Sequence, residues 1–179
     1  MATKRSENDV NAPAFTKMTD LAAERLGGKV LYATDDFFAE KENLIKPGRG
    51  IFIDDKYTER GKWMDGWESR RKRTPGHDWA IIQLATPGRI TGFDIDTNFF
   101  LGNHPPHAKI EGITLKDSEI PDDWENLSLG WKEVLKKSPL NPGSQHFYEA
   151  QNNNVYTHLK LHIYPDGGVS RLRLFGKKA

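Results

Sequence analysis

The 179-residue sequence contains no cysteine, which excludes disulfide bonds, thiolate metal sites and a cysteine nucleophile. It also lacks long apolar runs: the first residues carry no signal-peptide core, and no stretch approaches the roughly 18 apolar residues of a membrane span. Neither sign of charge dominates, because 26 Lys and Arg face 25 Asp and Glu. We therefore expect a cytoplasmic protein whose partners include neither nucleic acid nor membranes.

Short apolar runs separated by Pro, Gly, Asn and Asp are abundant instead. Residues 157–163 alternate apolar and polar side chains and lead into the turn residues Pro-Asp-Gly-Gly at 165–168, the pattern of a strand entering a hairpin. Many such runs without alternating helical patterns predict a mainly β protein, an antiparallel sandwich or jelly roll.

The N-terminal region has a different pattern. Residues 1–14 are polar and without periodicity, so we expect a mobile tail, followed by a single domain over residues 15–179. One short helix is predicted within residues 16–28, because four apolar residues recur near helical spacing between a threonine cap and a Gly-Gly stop.

Residues 92–98 place carboxylates and an amide at every second position. Asp94 and Asp96 alternate with apolar residues, which predicts a half-buried strand with both carboxylates on its polar face. Two neighbouring carboxylates can share the roles of acid, base and orienting group. The alternative is that they form the solvent face of an antiparallel strand.

The turn after this strand adds amides and imidazoles. Asn98 and Asn103 offer donors and acceptors suited to a urea-like carbonyl and amino group, and His104 and His107 are of the type that titrates nearest physiological pH. The histidines lie in a proline turn and lack zinc-ligand spacing, and no Gly-rich phosphate loop is present. No cofactor or metal is therefore predicted, with a divalent metal as the alternative.

Residues 63–73, WMDGWESRRKR, combine two indoles with four cations. Arg70 and Arg71 suit a ligand that carries a carboxylate, because each guanidinium is a planar fork of donors, and Glu68 is placed to hold one of them. The alternative is a solvated charged loop anchored by its tryptophans.

Three strings in this order resemble the repeat unit of the allantoicase family: GKWMDGWESRRKR, HDWAIIQLATPGRITGFDIDTNFFLGNHPPHAKIEG and HLKLHIYPDGGVSRLRLFG. The similarity begins near Leu26 and continues to Gly176, and long strings in order are far more specific than any short piece. The resemblance implies a jelly-roll β-sandwich of the galactose-binding type. It also implies the hydrolysis of allantoate to ureidoglycolate and urea in purine degradation.

Members of this family carry two repeats in tandem, whereas this sequence contains one, most similar to the first. The interpretations are a half-enzyme fragment that needs a second repeat, an enzyme assembled by homo-oligomerisation, a non-catalytic ureide- or sugar-binding module, or a structural subunit. We favour an active homo-oligomer, because the polar residues of the repeat are present.

Allantoate has one carboxylate and two ureido groups, so its hydrolysis needs an anion-binding group, amides for a ureido arm, and an acid and a base. The candidates are Arg70 or Arg71 for the carboxylate, Asn98 and Asn103 for a ureido arm, Asp94 or Asp96 as base, His104 as acid, and Glu68 as the group that orients the arginines.

Overall fold

The computed structural model describes residues 2–126 and 128–179, and strands dominate them. The strands are β1 (Thr3–Lys4), β2 (Thr19–Asp20), β3 (Lys29–Ala33), β4 (Phe52–Ile53), β5 (Tyr57–Thr58), β6 (Gly61–Lys62), β7 (Trp67–Glu68), β8 (Asp78–Asp96), β9 (His107–Ile113), β10 (Lys132–Pro139), β11 (Gln145–Glu149), β12 (Val155–Tyr164), β13 (Gly168–Val169) and β14 (Arg171–Lys178). Short 3-10 turns lie at Ala14–Lys17, Glu24–Leu26, Lys41–Ile45 and Asp117–Glu119. No helix among the described residues is long and apolar enough to cross a membrane.

The long strand β8 organises the sandwich. Its first part, residues 78–83, pairs antiparallel with β12 and β3. Its last part pairs with β14 and β11. β9 and β10 continue the sheet beyond β12, and β2 continues it beyond β14. One strand thus contributes to both layers of the β-sandwich, which confirms the mainly β jelly-roll architecture that the sequence predicts.

Alternation along β8 separates the core from the polar face. Phe93 and Ile95 are completely buried in the hydrophobic core, so Asp94 and Asp96 point to the opposite side of the sheet. Both aspartates are nevertheless buried, because other parts of the chain cover that side. The predicted period is therefore correct, but the polar face is not a solvent face.

The predicted N-terminal helix is replaced by two 3-10 turns with β2 between them. β2 pairs with residues 175–176 of β14, and the Leu21 backbone N–H donates to the Leu174 carbonyl at 2.9 Å. The backbone groups of this short segment are thus satisfied by a sheet edge, and tertiary context overrides a weak local helix preference. Leu21 and Ala22 still reach the core, as their apolar character requires.

Residues 2–12 belong to the segment 1–14 that the sequence predicts to be a mobile tail, and they contact the domain. β1 pairs with β4. Further along, the Ser6 hydroxyl donates to Asn98 Oδ1 at 3.2 Å, and the Asp9 backbone N–H donates to Gln145 Oε1 at 2.8 Å. We refer to residues 6–9 as the N-terminal strap. These contacts place the strap beside the polar face of β8.

Candidate functional site

Three segments far apart in the sequence meet in one place. β13 pairs with β7, with Gly168 opposite Glu68. The Gly168 N–H donates to the Asn103 carbonyl at 2.8 Å, and the Lys72 N–H donates to Asp166 Oδ2 at 2.8 Å. Strand pairing and these hydrogen bonds therefore fix the positions of the loops around residues 67–72, 102–104 and 165–168 relative to one another.

The two glycines of the Pro-Asp-Gly-Gly turn permit this close approach. Gly167 has a φ of +124°, and a Cβ there would lie 2.3 Å from the Asn103 carbonyl oxygen. A Cβ on Gly168 would lie 2.1 Å from the Phe100 ring. Only glycine fits both positions, because a side chain would either strain the backbone or force the loops apart.

A cavity of about 560 Å³ lies where these loops meet. We call it the Glu68 cavity; its polar lining includes Glu68, Ser69, Arg71, Asn103, His104 and Asp166. Four of the residues proposed from the sequence, Glu68, Arg71, Asn103 and His104, are therefore brought together.

Glu68 is a carboxyl group held largely away from water. It is 8% exposed, and its Oε2 accepts a hydrogen bond of 2.5 Å from the Asn103 amide. Burial raises the pKa of Glu68 above its ordinary value, while the hydrogen bond from Asn103 lowers it by a smaller amount. A carboxyl group whose pKa is raised in this way is suited to act as a general acid as well as a base.

Asn103→Ala is expected to raise the pKa of Glu68 further. The amide donor stabilises the ionised carboxylate, so its loss leaves only the burial effect, which favours the protonated form. The titration of the Glu68 carboxyl, followed by carbon NMR, should therefore move to higher pH. A shift to lower pH, or a titration identical to that of the parent protein, would contradict this account of the pair.

The two adjacent arginines have different environments. Arg70 donates from Nε and Nη2 to Asp35 Oδ1 at 3.0 and 2.8 Å, and its guanidinium lies 5.0 Å from the centroid of the Phe37 ring. Among the described residues, no carboxylate contacts the Arg71 side chain. Arg71 lines both the Glu68 cavity and a neighbouring cavity of about 560 Å³ that Arg70 also lines.

The predicted role of Glu68 as the group that orients the arginines needs correction. Asp35 takes that role for Arg70. Burial alone would raise the pKa of Asp35, but the hydrogen bonds and the charge of Arg70 outweigh burial and lower that pKa. Sequence reasoning missed Asp35 because it lies more than thirty positions earlier in the chain. Its only sequence signal is that it begins an Asp-Asp pair separated by one residue from the end of β3.

Asp94 and Asp96 lie in a different cavity, of about 350 Å³, which shares no lining residue with the other two. Asp96 accepts from Arg49 on both oxygens, each at 2.8 Å. We call this cavity of about 350 Å³ the Asp94 cavity. The structure does not bring either aspartate together with His104 or the adjacent arginines.

Asn98, predicted to bind a ureido arm, lines none of these three cavities. Its amide donates to the Gly50 carbonyl at 2.8 Å and accepts from Ser6, so both ends of the side chain are engaged within the protein.

His104 has a buried Nδ1 without a hydrogen-bond partner among the described residues. Within residues 2–126 and 128–179, no group of three or more His, Asp or Glu side chains is arranged to hold a metal ion.

The fold and the cavities define a β-sandwich protein with a polar, loop-built pocket of a size suited to a small molecule. The sequence model of the allantoicase repeat matches residues 19–179, so the chain belongs to the allantoicase family. It is 48% identical over 171 residues to a probable allantoicase of Burkholderia mallei, a match that covers 95% of this chain and 49% of that protein. A probable allantoicase of Photobacterium profundum is 45% identical over 163 residues, covering 91% and 48%.

Solved structures agree with the family and the fold. The crystal structure of allantoicase from Saccharomyces cerevisiae superposes with a TM-score of 0.74 at 36% identity and covers 90% of this chain and 49% of that one. A family 32 carbohydrate-binding module from Clostridium perfringens has a TM-score of 0.60 at 16% identity and covers 93% of this chain and 99% of that one, which shows a shared fold. The chain spans about half the length of the curated relatives it matches.

Proposed function

We propose that the Glu68 cavity binds allantoate and hydrolyses it to ureidoglycolate and urea. The observation that carries this proposal is a buried carboxyl of raised pKa, Glu68, in the same cavity as Arg71, a cation without a carboxylate partner among the described residues. The names of the allantoicase relatives support the choice of substrate. As a protein of purine degradation it would act in the cytoplasm.

Substrate binding follows from the charges of the cavity. Arg71 binds the allantoate carboxylate, because no carboxylate of the described residues occupies its donor fork. Arg70 donates to Asp35 and lies beside Phe37, so its Nε and Nη2 groups are already engaged within the protein. His104, whose Nδ1 has no hydrogen-bond partner among the described residues, holds a ureido arm. The substrate carbon then lies between the anion site and Glu68.

Glu68 can serve as both acid and base in sequence. The protonated carboxyl gives its proton to the nitrogen of the departing ureido group, the C–N bond breaks, and its electron pair leaves with urea. The nitrogen of the second ureido group shares its lone pair with the carbon and forms a transient iminium. Glu68, now a carboxylate, removes a proton from water as the water oxygen bonds to that carbon, which yields ureidoglycolate and restores the acid. Atoms and charge balance without a cofactor.

Arg71→Ala tests the anion site. Removing a charge-assisted pair costs about 1.5–3 kcal/mol, so we expect kcat/KM for urea release from allantoate to fall about 10- to 100-fold. Arg89→Ala is the matched control, since Arg89 is an exposed arginine on β8 outside the three cavities. Equal losses in the two variants, or none in Arg71→Ala, would contradict the proposed carboxylate contact.

The chain spans about half the length of the curated relatives it matches. We therefore propose that a second repeat, supplied by another copy of this chain, completes the assembly. Light scattering on the same sample as the urea assay tests this. Turnover from an oligomer supports it, and turnover from a monomer would show that one repeat suffices. Saturable allantoate binding without turnover in either state would make the chain a binding module.

A further inference from the structure

The Asp94 cavity is a second built site, separate from the one proposed for allantoate. It lies on the polar side of β8, where Asp94 stands opposite Arg173 and Asp96 opposite Arg171 in the register with β14. Residues that face each other across a pair of strands project to the same side of the sheet. The cavity is therefore lined by alternating acidic and basic side chains.

Three arginines with little solvent exposure line this cavity, and each is already paired. Each guanidinium has its own carboxylate: Arg49 with Asp96 at 2.8 Å, Arg171 with Asp65 at 3.0 Å and Arg173 with Asp20 at 3.5 Å. Because each guanidinium has another carboxylate as its partner, Arg173 offsets the charge of Asp94 only in part. Among the described residues, these three pairs use one carboxylate for each arginine, and Asp94 is a fourth carboxyl group without a salt bridge of its own.

Asp94 is only 4% exposed, and its Oδ2 accepts from the Gln145 amide at 2.8 Å. Its Oδ1 is buried and has no hydrogen-bond partner in the part of the chain that the structure describes. A buried carboxylate oxygen without a donor is costly, and it needs a donor from a ligand or from water. Asp94 Oδ1 is therefore the acceptor in this cavity that a ligand can use.

We propose that the Asp94 cavity binds a small organic cation, an ammonium or guanidinium compound whose N–H group donates to Asp94 Oδ1. A cation supplies both the missing donor and the missing positive charge. The cavity volume of about 350 Å³ accommodates a compact ligand of this class. Asn8 and Asp9 line it from the side of the N-terminal strap, so the ligand is enclosed between the strap and the sheet.

Binding should depend on pH through Asp94. Burial and the neighbouring Asp96 raise the pKa of Asp94 to about 7, against the opposing effects of Gln145 and Arg173. The other charged groups that line the cavity are Asp9, Asp20, Glu24, Arg25, Arg49 and Arg171. A cation favours ionised Asp94, so binding below neutral pH releases a proton, and affinity rises about tenfold between pH 6 and pH 8.

The test is calorimetric titration of the full chain with millimolar methylammonium chloride and, separately, guanidinium chloride. Each titration is done at pH 6, 7 and 8 at constant ionic strength. Two buffers of different ionisation enthalpy are used at each pH, so that protons released on binding can be counted. We expect saturable binding of at least one probe, tighter at higher pH, with proton release at pH 6. Tetramethylammonium, a cation without N–H donors, should not bind.

Asp94→Asn should abolish this binding while retaining the circular dichroism spectrum of the parent. The matched control Asp122→Asn changes an exposed aspartate outside the cavity and should leave binding intact. Glu68→Gln should also bind the probe normally, which separates this site from the proposed hydrolytic one. Absence of saturable binding at pH 8, equal binding by Asp94→Asn, or equal binding of tetramethylammonium would each overturn the proposal.

Discussion

Glu68→Gln is expected to lower urea release from allantoate by about 10² to 10⁴-fold, the usual contribution of a positioned acid or base. The amide keeps the size of the side chain but can neither give nor take the proton that the departing urea and the attacking water require. Because the proposed loss is confined to the reaction steps, kcat should fall with little change in KM. Steady-state kinetics of urea release over a range of allantoate concentrations provides the measurement.

The pH profile gives this prediction a second readout. Burial raises the pKa of Glu68, and the first step needs the protonated form, so the rate should fall as pH rises through that raised pKa. Glu149→Gln is the control, since Glu149 is an exposed glutamate on β11 outside the three cavities. If Glu68→Gln kept full turnover, the base and acid would have to be sought elsewhere, with the Asp94 cavity as the next candidate.

The fold could be predicted from the sequence because its signals are local. The alternation around Asp94 and Asp96 and the turn residues at 165–168 each depend on neighbours in the chain, and both correspond to strands or turns in the structure. The predicted helix near residues 16–28 failed for the opposite reason. Its outcome depends on the edge of β14, more than 140 positions away.

The candidate site could be predicted only in part for the same reason. Residue types and proximity in sequence identified Glu68, Arg71, Asn103 and His104, which share a cavity. They also grouped these residues with Asp94 and Asp96, because a turn only a few residues long separates Asp96 from the amides and histidines. Sequence periodicity does not show that Arg49, in the turn at residues 47–50, and the N-terminal strap cover the polar side of β8.

Arg49 carried no sequence signal beyond its place in a Pro-Gly-Arg-Gly turn. In the structure its side chain is 13% exposed and donates to Asp96 and to the Glu7 carbonyl. The hydrogen bonds to Asp96 are the main cause that raises the pKa of Arg49. The pair thus connects three parts of the chain that are remote in sequence.

Asp96→Ala is therefore expected to destabilise the protein by about 3–5 kcal/mol, the cost of removing one partner from a buried ion pair. Asp96 is 1% exposed, and besides Arg49 it accepts from the Asn98 backbone N–H at 3.0 Å, so its loss leaves a guanidinium and an amide without their acceptor. Urea unfolding followed by circular dichroism measures this change, and Arg49→Ala should show a similar one.

Because each substitution disrupts the same pair, the loss in the double variant should be clearly smaller than the sum of the two single losses. A stable Asp96→Ala protein that has lost turnover would instead assign Asp96 to the chemistry and reverse the division between the two cavities.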